Sequence, residues 1–182
     1  MYGYSKHLSD LWTINNGYTS KITGLKFFNV YGPNEYHKGN MSSVVFKAFH
    51  QVKKEGRITL FKSHRPEYAD GEQRRDFIYV KDVAETIIWF LQNREVNGIY
   101  NLGFGKSRSW NDLAKAVFKA MNCKPVIEYV EMPESIRDRY QYFTEAEMNK
   151  LKDAGYTTAF TSLEAGVEDY IRNYLSKEHP YL

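Results

Sequence analysis

Apolar positions recur along the chain in two alternating rhythms. Over residues 4–16, Leu8, Leu11 and Trp12 fall on one side of a helical period, which predicts a helix. Residues 21–30 read as a strand, ended by Gly32-Pro33. Ser42 is placed as the cap of a helix running to about Lys54, and residues 58–61 as a short strand. Residues 75–80 look strand-like, 82–93 helical and 98–103 a strand. Ser109 with Asp112 forms a capping-box pattern that opens a helix to about Met121, and a strand follows at 126–130. Thr144 with Glu147 is expected to open a helix that Gly155 ends, and Thr161 with Glu164 a last helix to about Leu175. Residues 62–73 are polar and carry Pro and Gly, so they read as a loop, either closing on a ligand or a plain surface excursion. Helices alternating with strands argue an α/β fold with parallel strands.

Composition narrows the partners. With 42% apolar and 26% charged residues, the 182-residue chain has the make-up of a globular protein rather than a disordered one. Net charge is +3, and Lys and Arg are interleaved with Asp and Glu. No clustered basic face is visible, so no nucleic-acid partner is expected, while a small anion such as a nucleotide diphosphate suits the bias. A single cysteine, Cys123, excludes an internal disulfide and fits a reducing compartment. The His and Cys residues show no metal-ligand spacing, so no metal is expected. No apolar run approaches the roughly 18 residues of a membrane span. The polar, helix-patterned start is unlike a signal peptide, which makes the cytoplasm the expected location.

Tyr2 and Lys6 are one helical turn apart and share a face. An unperturbed phenol ionises near pH 10, so forming phenolate at pH 7 costs about 4 kcal/mol. A nearby ammonium lowers that cost, and the pair can then exchange a proton with a sugar hydroxyl. The same spacing is common on plain surface helices. Gly103-Phe104-Gly105 follows a strand but lacks a third glycine, and reads as a turn.

Four segments change the weight of that pair. Tyr2-Gly3-Tyr4-Ser5-Lys6 is followed in order by Phe27-Phe28-Asn29-Val30-Tyr31-Gly32-Pro33, Asp76-Phe77-Ile78-Tyr79-Val80-Lys81-Asp82-Val83 and Tyr100-Asn101-Leu102-Gly103. This order resembles the extended short-chain dehydrogenases. His37-Lys38-Gly39-Asn40-Met41, Arg139-Tyr140-Gln141-Tyr142-Phe143-Thr144 and Leu151-Lys152-Asp153-Ala154-Gly155-Tyr156 narrow it. With them, essentially the whole chain resembles the ADP-L-glycero-D-manno-heptose 6-epimerases.

That resemblance implies the C-terminal part of a Rossmann-type doubly wound sheet plus a smaller α/β substrate-binding domain. Residues 1–32 would be the tail of the dinucleotide-binding domain, and 33–182 mainly the substrate domain, with about 76–104 returning to the sheet. It implies inversion at C6 of an ADP-linked heptose, with hydride passing to NADP and back to the opposite face. Tyr2 (supported by Lys6) and Lys38 would be the two proton-handling groups. Lys6, Val30 and Lys38 fall at cofactor positions. Asn29, Asn40, Lys47, Phe61, Lys62, Ser63, His64, Arg75 and Tyr140 fall at substrate positions, although many family members carry His where Lys47 stands. The family also implies a homo-oligomer, a pentamer, supplying heptose to the lipopolysaccharide inner core of a Gram-negative bacterium.

Plainer readings stay open. Phe61 suits a core, Lys62, Ser63 and His64 an ordinary loop, and Arg75 beside Arg74 a solvated pair. Tyr140 suits a packed aromatic, Lys38 a solvated loop lysine and His37 a structural role. Another nucleotide-sugar enzyme of the same group, a 4-epimerase or dehydratase using the Tyr2–Lys6 pair alone, is the runner-up; a non-catalytic nucleotide-sugar-binding fragment is the third reading. No Gly-rich strand–loop–helix occurs in these residues, so activity is expected of a longer parent and not of this chain alone.

Overall fold

The computed structural model describes residues 2–181, with Tyr2 by its backbone alone. In chain order the elements are α1 (Tyr2–Asn15), β1 (Thr23–Phe27), β2 (Asn29–Tyr31), α2 (Val44–Glu55), β3 (Ile58–Phe61), β4 (Arg74–Arg75) and β5 (Phe77–Tyr79). Then follow α3 (Val80–Gln92), β6 (Gly98–Leu102), β7 (Arg108–Ser109), α4 (Trp110–Ala120), β8 (Ile127–Val130), α5 (Glu134–Arg137), α6 (Asn149–Asp153) and α7 (Leu163–Tyr170). Three strand pairs are parallel, β1 with β6, β2 with β5 and β3 with β8; β4 and β7 pair antiparallel.

The strand expected over 21–30 changes neighbours part-way. The Phe28 N–H donates to the Leu102 carbonyl at 3.1 Å, and the next N–H, of Asn29, donates to the Asp76 carbonyl at 3.0 Å. The chain thus passes from β6 to β5 within one residue, which divides it into β1 and β2. The strand expected over 75–80 is likewise two short ones, and α3 begins at Val80 rather than Asp82.

Helix starts follow the caps, with three corrections. Ser43, not Ser42, caps α2, its Oγ accepting from the Phe46 N–H at 3.2 Å, while Ser42 Oγ donates to the Gly39 carbonyl at 2.7 Å. Ser162, not Thr161, caps α7, because Asp82 accepts from both the Thr161 N–H and hydroxyl at 2.8 and 2.7 Å. No helix begins at Thr144. Its N–H donates to the Arg74 carbonyl and the Ala146 N–H to Asp76, so the segment lies extended beside β4, and α6 covers Asn149–Asp153 alone. The Ser109–Asp112 capping box forms as expected.

Two apolar clusters hold these elements together. One packs α2, α4 and α7 through Phe49, Val117, Phe118, Val167 and Tyr170; the other joins Ile78, Phe90 and Leu102 to Met148, Leu151 and Tyr156. Each such side chain contributes about 1.5–3 kcal/mol when fully buried. Gly32, at φ 140°, lets the chain turn beneath α3, where a Cβ would collide with Val80 and Tyr79. The apolar face of α1 is bare, with Tyr4, Leu8, Trp12 and Ile14 all exposed.

Candidate functional site

Two clefts adjoin at Val44 and Trp110, one along β2 and one along β3. The first, of about 610 Å³, is lined by Asn29, Val30, Glu35, Lys38, Val44 and Trp110, among others. Asn29 and Val30 come from β2 itself. Lys38 comes from Tyr36–Met41, two short 3-10 turns joined by a kink at Gly39 with φ 51° and ψ −123°. Its side chain is exposed, and its N–H donates to the Glu35 carbonyl at 3.0 Å.

The second cleft, of about 160 Å³, is bounded by Val44, Thr59, Leu60, Phe61, Trp110 and Tyr140. Trp110 and Val44 border both clefts. Phe61 meets the Tyr140 ring edge-on, and the Trp110 indole N–H donates to the Tyr140 hydroxyl at 3.0 Å. Arg75 is 8% exposed. Its guanidinium sits 5.6 Å from the Trp110 ring centroid and 5.3 Å from that of Tyr140, and donates to the Arg74 carbonyl at 2.8 Å. No carboxylate among the described residues pairs with it. Burial holds the Arg75 guanidinium below its ordinary pKa, and burial likewise pushes the Tyr140 phenol up, against the pull of Arg75.

The other expected site residues stand apart from these clefts. Lys47 Nζ donates to the Asn40 carbonyl at 2.7 Å, and both line a separate groove with His50 and Lys54. Lys62 donates to Glu131 at 2.9 Å, and His64 Nε2 lies 3.3 Å from the same carboxylate. The Ser63 N–H donates to Asp70 and the His64 N–H to the Tyr142 hydroxyl. Gln73, fully buried, donates to the Phe61 and Lys62 carbonyls. The loop expected over 62–73 is therefore tied down from within. Lys6 is exposed on α1. The Tyr2 side chain lies outside the described residues.

Residues 1–103 match the NAD dependent epimerase/dehydratase family. The chain belongs to that family. It is 59% identical, over all of its 182 residues, to the ADP-L-glycero-D-manno-heptose-6-epimerase of Nitratidesulfovibrio vulgaris (strain DP4). It is 50% identical to the enzyme of that name from Fusobacterium nucleatum, again across the whole chain. The chain spans 56% and 57% of the length of these curated relatives. Among solved structures it superposes on the ADP-L-glycero-D-manno-heptose-6-epimerase of Helicobacter pylori with a TM-score of 0.73 at 27% identity, covering 94% of this chain and 50% of that one. It matches the UDP-glucose 4-epimerase of Thermus thermophilus, solved with NAD, with a TM-score of 0.67 at 26% identity, covering 91% and 50%. The expected Rossmann-type α/β class is thereby met.

In this epimerase/dehydratase chain, two cleft residues carry no mark in the local pattern. Trp110 directly follows the capping Ser109, and Glu35 follows the Gly32-Pro33 turn by two residues. Both are found by asking which side chains flank a cap or a glycine turn at a strand's carboxyl end, where such sheets bind ligands.

Proposed function

We propose that the whole protein inverts C6 of the heptose in ADP-glycero-manno-heptose, using NADP. Arg75 is the observation that carries the substrate class. A buried cation between two rings, with no carboxylate answering it, is costly alone and suits a diphosphate that its planar fork can grip. Phe61 and Tyr140 then flank the nucleotide part. The names of the relatives, at 59% and 50% identity across the chain, narrow the nucleotide sugar to ADP-heptose.

The family match and the NAD-bound structural neighbour support a nicotinamide cofactor. Half-buried Val30 and the Lys38 ammonium share the cleft at the carboxyl end of β2, which suits its nicotinamide end. When bound, NADP would supply the hydride exchange at C6. The chain's own residues handle the proton on the C6 oxygen. Tyr2, with Lys6 one turn on, serves one face, and Lys38 serves the other. A proton group on each side lets oxidation and re-reduction take place on opposite faces of C6, whereas a single Tyr–Lys pair would require the ketone to turn over in the site. Asn29, in the same cleft as Lys38, holds the sugar. Lys62, Ser63 and His64 would exchange their present partners for the nucleotide. Asn40 and Lys47 line a different groove and enter as substrate contacts through the resemblance alone. A cytoplasmic homo-oligomer, a pentamer, completes the reading.

The test is the product. The full-length enzyme is incubated with ADP-heptose and, separately, with a UDP-hexose, and both are followed by NMR. Inversion at C6 of the heptose supports the proposal. Inversion at C4 of the hexose, with the heptose untouched, replaces it by the 4-epimerase reading.

A further inference from the structure

The segment that carries Lys38 buries none of its own residues: Tyr36–Met41 contributes nothing to either apolar cluster's buried set. Tyr36 packs on Phe46 and donates to the Pro180 carbonyl, and Lys47 holds the Asn40 carbonyl, but the Lys38 side chain between them is exposed, so its place depends strongly on how the turn is fastened at its ends. At the leading end stands Glu35, 5% exposed although ionisable. One carboxylate oxygen accepts from the Ser43 N–H at 2.5 Å; the other accepts from the Ser43 hydroxyl at 2.6 Å and the Tyr170 hydroxyl at 3.0 Å. Ser43 is the cap of α2, and Tyr170 is a fully buried residue of α7. Glu35 therefore draws both ends of the turn together and fastens them to two helices of the core. Its own carbonyl accepts the Lys38 N–H at 3.0 Å, so the fastening reaches Lys38 through a single hydrogen bond.

We propose that Glu35 is a positioning residue: its carboxylate sets where Lys38 stands in the cleft that Asn29 and Val30 line. This rests on the role given to Lys38 above. Three charge-assisted bonds on one buried carboxylate make a stiff joint, since each donor would be left unanswered if the joint opened. Arg75 packs against Trp110 and Tyr140, which wall the other cleft, and makes no bond to the turn, so loosening the turn displaces the proton group while leaving the proposed diphosphate grip in place.

Glu35→Gln tests this. An amide offers one acceptor oxygen where the carboxylate offers two, and turns an NH₂ toward donors. Hydrogen exchange by mass spectrometry on the protein should show residues 36–42 exchanging about ten-fold faster, with β5 and β6 unchanged. In the full-length enzyme kcat should fall about ten-fold or more while KM for ADP-heptose stays within about two-fold. Tyr170→Phe, which removes one bond of the three and keeps the ring, should lower kcat less, in the same direction. Unchanged exchange in the turn overturns the proposal. So does exchange that rises throughout the protein, or a loosened turn with parental kcat. Lys38→Met, run alongside, separates the two claims. Near-parental turnover there removes the role of Lys38. An inactive Lys38→Met enzyme beside a parental Glu35→Gln one removes that of Glu35.

Discussion

Replacing Arg75 by Met keeps most of the side chain's stem and deletes the guanidinium. In the free protein that group gains two ring contacts, at 5.6 and 5.3 Å, worth about 0.5–2 kcal/mol each. It also donates one hydrogen bond, to the Arg74 carbonyl. Against these stands the desolvation of a charge with no carboxylate partner, and the opposing contributions are of similar size. Unliganded stability should therefore change by less than about 1 kcal/mol, a shift of roughly 2–4 °C in Tm. Ligand affinity should change far more. Charge-assisted hydrogen bonds to a diphosphate are worth about 1.5–3 kcal/mol, or roughly 10- to 150-fold in the dissociation constant. The grip is the same in the ground and transition states, so KM should rise by that factor with kcat nearly kept. Arg75→Lys keeps the charge and loses the fork, and should fall between. Calorimetric titration with ADP and steady-state kinetics of the full-length enzyme measure both. Unchanged ADP affinity and KM in Arg75→Met, with the fold intact, would refute the diphosphate assignment.

Gly32→Ala places a methyl group against Val80 and Tyr79 at a φ of 140°, and should cost about 2–4 kcal/mol. Thermal unfolding should show a fall of roughly 5–15 °C in Tm, and a parental Tm contradicts the crowding. Arg108 joins α4 to α7 through Glu164 at 2.6 Å and Asp112 at 2.9 Å. Its hydrogen bond holds the Glu164 carboxyl below its ordinary value of 4.5. A depressed folded-state pKa stabilises above the unfolded value and is lost as the pH falls through the folded one. Arg108→Met should thus cost about 1 kcal/mol at pH 7, given partners that are partly exposed. In urea unfolding the gap between variant and parent should close below pH 4.5, and a gap that persists there assigns the loss to packing.

What could be read in advance was local. The α4 start was legible because Ser109 and Asp112 answer each other's backbone within one turn. Thr144 with Glu147 carries the same pattern and fails, because bonds to Arg74 and Asp76, distant in sequence, hold the segment extended beside β4. The break at Phe28 was hidden for a related reason. Leu102 and Asp76 decide it, and apolar rhythm carries no record of which neighbour a strand meets. In the site, the resemblance pointed to Asn29, Val30 and Lys38, and one cleft holds all three. Spacing gave no sign that Asn40 and Lys47 face another groove, although they flank the same turn and helix. Trp110 and Glu35 flank a cap and a glycine turn, but that they share one cleft depends on Trp110 packing on Phe77 and Glu35 bonding Tyr170, tertiary contacts with no local signature.

Lys38→Met in the full-length enzyme bears most directly on two-sided proton handling at C6. Both ADP-heptose epimers are followed by NMR from either starting compound. In the two-sided account re-reduction on the second face draws its proton from Lys38, so interconversion should be nearly abolished, with the fold and ADP binding retained. A Lys38→Met enzyme that still interconverts the epimers at near parental rate contradicts the two-base chemistry and returns the protein to a single Tyr2–Lys6 pair.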